Sequence, residues 1–346
     1  MSTSTVKSIA IFLLLGLQTI VFSGCKKEGK DEQIVEPVFE LKIPEGFPQP
    51  EIPEDNQLTS ARVALGKMLF FDPILSQDST ISCGSCHNPA YSFSDNAALS
   101  VGVNGQKGTR NAMPLVNLAW SSAFMWDGGI PSLELQVLAP LTNHVEMNLP
   151  ISEAIERLKK HPVYPALFKK AYNREPDDYS LFRAIAAYER TLISGNSRYD
   201  QYFYQGKKDA LTESEINGMN LFFSDRLHCS SCHSGVNFTN GTFQNTGLYV
   251  EYADPGRNLI TGMESDKGKF KVPTLRNIEL TAPYMHDGSI ATLEDVIKHY
   301  LSGGKYNRNK SPHVHFHFVG LTDQEIQDVV NFLKTLTDTS FVNATN

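Results

Sequence analysis

Positive charge, cysteine and tryptophan are all scarce in this 346-residue chain, and each scarcity excludes something. Lysine and arginine total 31 against 38 acidic residues, a net charge of -7. A nucleic-acid binder needs a basic surface that this balance does not supply. A membrane-spanning helix needs about 20 apolar residues. The apolar run from Ile9 to Phe22 is shorter than that and is interrupted by Gly16, Gln18 and Thr19. No alternating apolar and polar pattern persists, so no sheet is predicted. Of five cysteines, four fall in two short motifs, which leaves no pair for a disulfide framework. Histidine is absent between His87 and His144.

What is present begins with those motifs. Cys83-Gly84-Ser85-Cys86-His87 and Cys229-Ser230-Ser231-Cys232-His233 both read C-x-x-C-H, the attachment signature of c-type haem. The two thiols add to the porphyrin vinyl groups and the adjoining imidazole becomes the proximal iron ligand. A lone C-x-x-C also serves zinc or thiol redox chemistry. Two copies, each with its histidine in place, predict two covalent haem c groups with His87 and His233 on the irons.

The fifth cysteine belongs to the N-terminus. Lys7, the apolar run and Ser23-Gly24 form a secretory signal over residues 1–24, and a small pair before a lone cysteine is the pattern of a lipidated Cys25. An ordinary signal peptide with a free thiol is the alternative. The expected location is the periplasm, with the chain held to a membrane by lipid on Cys25. Residues 25–55 are charged and proline-rich and predict a tether.

An internal repeat organises the remainder. Phe124 to Glu134 matches Tyr284 to Glu294, and Pro114-Leu115-Val116-Asn117 matches Pro273 to Asn277. Each pair follows its own C-x-x-C-H, so a duplication is expected. Helices are predicted at Ser60 to Phe71, from a Ser152 cap through Leu158, at Tyr164 to Tyr172 and at Asp178 to Ile193. Thr212-x-x-Glu215 and Thr322-x-x-Glu325 are capping boxes that open two more. The fold class expected is all-α, with two c-type cytochrome domains at residues 56–205 and 206–346.

The segments between these landmarks carry a resemblance. Leu65 to Asp72, Arg110 to Pro114, Trp126-Asp127-Gly128, Glu146-Met147, Phe270 to Asn277 and Leu280 to Tyr284 occur in order with ordinary spacings. From about Leu58 to Leu336 the chain resembles the bacterial di-haem cytochrome c peroxidases. The resemblance implies a peroxide site at the first haem and electron entry at the second. It makes Glu146 the acid/base carboxylate, Gln136 the amide beside it and Trp126 the aromatic between the haems. It places calcium at Asn111 with the carbonyls of Thr281 and Pro283. Without it, Glu146 reads as a surface carboxylate and Trp126 as a core residue.

Two departures follow. The second haem's distal methionine would fall fourteen residues after His286, where Tyr300 stands. At this point the chain is similar to the di-haem enzyme that matures methylamine dehydrogenase, which has a tyrosine ligand there. A hard phenolate favours ferric iron and lowers the potential. Packing by Tyr300, with His299 or no side chain as ligand, is the alternative. In the loop after the first haem, Val103 occupies the position of a removable distal histidine, so a five-coordinate or water-bound first iron is expected. His313, His315 and His317 read as a solvated loop, and His144, His161 and His228 carry no constellation. His286 is expected to meet a propionate or backbone.

The leading expectation is a cytochrome-c peroxidase that reduces hydrogen peroxide to water with electrons from a small cytochrome or cupredoxin. An oxidase of a protein or organic substrate and a non-catalytic electron-transfer cytochrome are the alternatives. The family resemblance also implies a possible homodimer.

Overall fold

Thr59 opens the first long helix, Ser60–Phe71, where its hydroxyl accepts the Arg62 backbone N–H at 3.3 Å. The computed structural model describes Met1 and residues 37–314 and 320–345. The expected signal segment, Cys25, the first part of the tether, His315 and His317 lie outside the described residues. Among those described, no helix is long and apolar enough to cross a membrane.

Ser60–Phe71 crosses Asp178–Glu189 at very short range. A Cβ on Gly66 would stand 1.8 Å from the Ala184 carbonyl oxygen. The second half of the chain makes the same crossing between Glu213–Phe222 and Asp323–Lys334, where a Cβ on Gly218 would lie 1.9 Å from Asp328 O. Each obstacle is backbone, so neither can swing aside. Gly66→Ala and Gly218→Ala are each expected to lower stability by about 1–3 kcal/mol or more, the range for overpacking a filled interior. Denaturant titration of the folded protein measures it, and an unchanged midpoint would refute the close crossing.

The capping boxes at Thr212 and Thr322 form as read, with Glu215 and Glu325 returning to the cap backbone. Tyr164–Tyr172 also forms as predicted. Two expectations need correction. Ser152 caps nothing: the helix is Ile151–Lys160, entered through Pro150, whose ring already has a helix-compatible φ. The Asp178 helix stops at Glu189 rather than Ile193. Beyond it the Leu192 carbonyl and the Ser194 N–H are taken by Asn117, and these bonds hold the chain out of the helix.

Among the described residues two large apolar cores form, beside two small clusters. The first gathers Leu65, Leu69 and Phe70 with Leu158, Phe168 and Ile185. The second gathers Tyr199, Phe222, Phe238, Val329, Phe332 and Leu336. The terminal helix Thr339–Thr345 returns to the first core, where Phe341 lies 5.9 Å from the Phe93 ring. Among the described residues strand is confined to one antiparallel pair, with Phe243 opposite Lys271 and Gln244 opposite Phe270.

Residues 37–55 correct the tether expectation over their length. Phe47 is buried and meets Trp120 edge-on at 5.5 Å, and Trp120 Nε1 donates to Pro48 O at 2.9 Å. Composition counts the prolines and charges of this stretch. It does not register that one phenylalanine suffices to anchor the chain to the body.

Candidate haem and peroxide site

Both C-x-x-C-H motifs close a single turn. The His87 N–H donates to Cys83 O and the His233 N–H to Cys229 O, each at 2.9 Å. The first turn is a short helix, Cys83–Cys86, whose cap Ser82 exchanges bonds with Ser85. The second is a 3-10 turn, Cys229–Ser231. The four described thiols form no disulfide. Burial pushes Cys86 up to about 11 and Cys229 up to about 12, and raises Cys83 and Cys232 as well. Such thiols are poor redox nucleophiles at neutral pH.

The imidazoles are prepared as metal ligands. His87 Nδ1 meets the Phe93 carbonyl at 2.8 Å and His233 Nδ1 meets the Phe238 carbonyl at 3.0 Å. A carbonyl can only accept, so each Nδ1 carries the proton and each Nε2 keeps its lone pair. Burial lowers both imidazole pKa values and keeps the rings neutral. The donor set therefore fits covalent haem at both motifs. Among the described residues no cluster of three or more His, Cys, Asp or Glu side chains could hold a bare metal ion.

A cavity of about 640 Å³ adjoins the first motif, lined by Cys86, His87, Trp126, Gln136 and Glu146 together with Lys271 and Pro273 from the second half. That volume falls within the range of cofactor and ligand sites. The Glu146 backbone is fixed by the 100–105 loop. Val103 N donates to Glu146 O at 2.9 Å, and a Cβ on Gly102 would lie 2.1 Å from Val145 O. Burial raises the Glu146 carboxyl above the ordinary carboxylate range, while a 2.7 Å bond from Asn143 Nδ2 to Oε1 pulls the other way. Gln136 Nε2 lies 3.9 Å from Met125 Sδ on the same wall. Val103 itself is buried, an apolar side chain at the position discussed for a distal histidine.

Trp126 ties the halves together. Its Nε1 donates to Asn111 O at 2.9 Å, and its carbonyl accepts the Lys271 N–H at 2.7 Å. Asn111 N donates to His286 O at 2.7 Å, and its Nδ2 to Ala97 O at 2.9 Å. The His286 ring stacks on Phe270 at 3.8 Å. The Thr281 hydroxyl donates to Ile278 O at 3.2 Å, and a cis peptide joins Ala282 to Pro283. His313 lies in a 3-10 turn, Pro312–Val314.

At the second motif, Tyr300 is on the Leu293–Leu301 helix, above the buried Leu293 and Ile297. Tyr300 is 37% exposed. Its phenol pKa is raised, by burial first and then by the charge of Cys232 and Cys229. His299 Nε2 is engaged by the Thr246 carbonyl at 3.0 Å.

Several groups had no role on sequence grounds. Asn143, three residues before Glu146, carries no local sequence signal. Glu189 is buried, its Oε2 finds no hydrogen-bond partner among the described residues, and burial raises the carboxyl to about 8. It shares a small recess with Cys83, His87 and Glu146. Lys271 is lowered to about 8 by burial, with Nζ 3.0 Å from Ala123 O. No local pattern marks either one.

The comparisons define the class. Residues 60–209 match the family described as di-haem cytochrome c peroxidase, and residues 216–337 match cytochrome c. The chain belongs to the di-haem cytochrome c peroxidase family, with two cytochrome-type domains in a mostly helical fold. It is 37% identical over 302 residues to the methylamine utilization protein MauG of Methylorubrum extorquens, covering 86% of this chain and 83% of that protein. It is 38% identical over 280 residues to cytochrome c551 peroxidase of Nitrosomonas europaea, covering 79% of each. Among solved structures, a MauG-like protein associated with microbial copper homeostasis superposes with a TM-score of 0.83 at 35% identity, over 88% of this chain and 97% of that one.

Proposed function

We propose that the chain is a di-haem peroxidase that reduces hydrogen peroxide to water with electrons from a small cytochrome or cupredoxin. The observation that carries this reading is a half-buried carboxyl, Glu146, held by Asn143 on the wall of the cavity beside Cys86 and His87. Haem bound there supplies an iron that takes up peroxide and a macrocycle that relays electrons. The protein's own part is proton handling. Glu146 takes the proton from the inner peroxide oxygen and returns it to the departing one, so that water leaves rather than hydroxide. Gln136 orients the incoming molecule by donating from its amide. Val103 offers no atom that could ligate an iron, and Trp126 bridges the halves through its bonds with Asn111 and Lys271. Consumption of peroxide by the purified holoprotein with a reduced small cytochrome tests the reading. Two assembled haems without peroxide turnover would defeat it.

A second reading, oxidation of a protein or organic substrate, is favoured by Tyr300 standing where a methionine is usual. In either case we assign Tyr300 as the second haem's distal ligand, since it stands on the Leu293–Leu301 helix at the position where a methionine is usual, while His299 Nε2 is engaged by the Thr246 carbonyl. Tyr300→Phe is expected to abolish the second haem's tyrosinate-to-iron optical band and raise its reduction potential. An unchanged spectrum would show that the tyrosine only packs.

The same reading includes internal duplication, supported by the paired glycine crossings and the paired motif turns. It also includes export to the periplasm with lipid on Cys25, a homodimer, and a calcium ion near Asn111, Thr281 and Pro283. Carbonyl and amide oxygens would have to supply that calcium site.

A further inference from the structure

The two proximal histidines are connected by a buried network that crosses from each half of the chain to the other. His87 is aligned by the Phe93 carbonyl, and Phe93 follows Ser92. His233 is aligned by the Phe238 carbonyl, and Phe238 follows Asn237. Both phenylalanines hold positive φ, 57° and 51°, a conformation that bulky side chains rarely keep without outside support. The support comes from the opposite repeat. Asn117, from the first Pro…Asn segment, donates through Nδ2 to Asn237 Oδ1 at 2.9 Å, beside the second haem motif's loop. Asn277, from the second such segment, donates through Nδ2 to Ser92 Oγ at 2.8 Å, beside the first.

The two asparagines are held alike. Each is in the left-handed region, with φ of 57° and 59°. Asn117 N donates to Leu192 O at 2.8 Å and Asn277 N to Leu336 O at 3.0 Å. Asn117 Oδ1 accepts from Ser194 N at 2.8 Å, and Asn277 Oδ1 accepts from Asp338 N at 2.7 Å. They meet at Ser194, whose carbonyl accepts from Asn117 Nδ2 at 2.8 Å and whose hydroxyl accepts from Asn277 Nδ2 at 3.2 Å. Asn117, Asn277, Ser194 and Ser92 are all almost wholly buried, so water cannot replace a lost partner.

We propose that Asn117 and Asn277 are crossed positioning residues, each fixing the loop that orients the axial histidine of the other repeat, with Ser194 as the shared joint. The proposal rests on the di-haem reading for its effect on iron, but the crossing itself is a property of the chain. A rearrangement of one proximal loop therefore reaches the other through three hydrogen-bonded residues, Asn277, Ser194 and Asn117, without passing through Trp126.

The experiment uses the full holoprotein carrying Asn117→Gly or Asn277→Gly. Glycine keeps the left-handed backbone and removes only the side-chain bonds. Hydrogen exchange is read on residues 88–94 and 234–240, and the ferrous iron–histidine stretch is read by resonance Raman. Asn117→Gly should speed exchange in 234–240 about tenfold and shift the second haem's stretch, leaving 88–94 near wild type. Asn277→Gly should do the reverse. Ser92→Gly, made from the other side of the same bond, should reproduce the Asn277→Gly pattern, and it keeps the test open if an asparagine variant does not fold. For the two asparagine variants, effects confined to the repeat that carries the substitution, or spread equally over both loops, would overturn the proposal, as would a Ser92→Gly protein whose 88–94 loop exchanged like wild type. Crossed exchange with both iron–histidine stretches unshifted would overturn the positioning role, whereas a wild-type protein that shows no iron–histidine stretch would tell against the di-haem reading instead.

Discussion

Glu146→Gln is expected to lower kcat for peroxide reduction by about 10²–10⁴-fold while haem content stays at the wild-type level. The substitution keeps the size of the side chain and an oxygen for Asn143 Nδ2, so the wall of the cavity is preserved and only proton transfer is lost. The pH dependence gives a second signature. The base form of Glu146 must exist before it can accept a proton from peroxide. Burial raises this carboxyl's pKa, so kcat/KM should fall as pH drops through a value above the ordinary carboxylate range. Asn143 stabilises the anion, so removing its amide with Asn143→Ala should raise the pKa further and move this acid limb to higher pH. In Glu146→Gln the limb should vanish. Steady-state peroxide consumption across pH measures all three. A glutamine variant with wild-type turnover and an unaltered acid limb would remove Glu146 from the chemistry.

The haem motifs and most of the helices were legible because their signals are local. C-x-x-C-H closes one turn of chain, and a capping box spans four residues, so spacing alone carries the geometry. Ser152 shows where local reading fails, since Pro150 had already opened that helix. What stayed hidden depends on partners far along the chain. Asn117 and Asn277 stood in a recognisable repeat, yet nothing in sequence ties them to Asn237 and Ser92, which lie 120 and 185 residues away. The repeat predicts that the two segments look alike but not that they exchange partners. Glu189 and Lys271 were hidden for a related reason. Their altered acidity comes from burial against segments far away along the chain, such as Cys83 and Glu146 for Glu189 and Ala123 for Lys271, which no window of sequence contains.

The same long-range logic leads to the largest expected change in stability. Arg276 is fully buried and sits in the second Pro…Asn segment, one residue before Asn277. Its guanidinium donates to both Asp200 oxygens, at 2.8 Å and 2.9 Å, and through Nε to Val236 O at 2.6 Å. The group also lies over the Phe47 ring, 4.7 Å from its centroid. Asp200 is as deeply buried and also receives the Ser197 N–H and hydroxyl at the start of Arg198–Phe203. Arg276→Leu leaves that carboxylate without its cation and is expected to cost about 3–5 kcal/mol. It also frees the Val236 carbonyl, close to the loop that aligns His233. Adding Asp200→Asn should restore a large part of the loss, because asparagine still accepts from Ser197 while the stranded charge is gone. Thermal or denaturant unfolding of the two variants, followed at the second haem's Soret band, separates the contributions. If the double variant were no more stable than Arg276→Leu alone, the cost would lie in lost packing against Phe47 and not in the unpaired carboxylate.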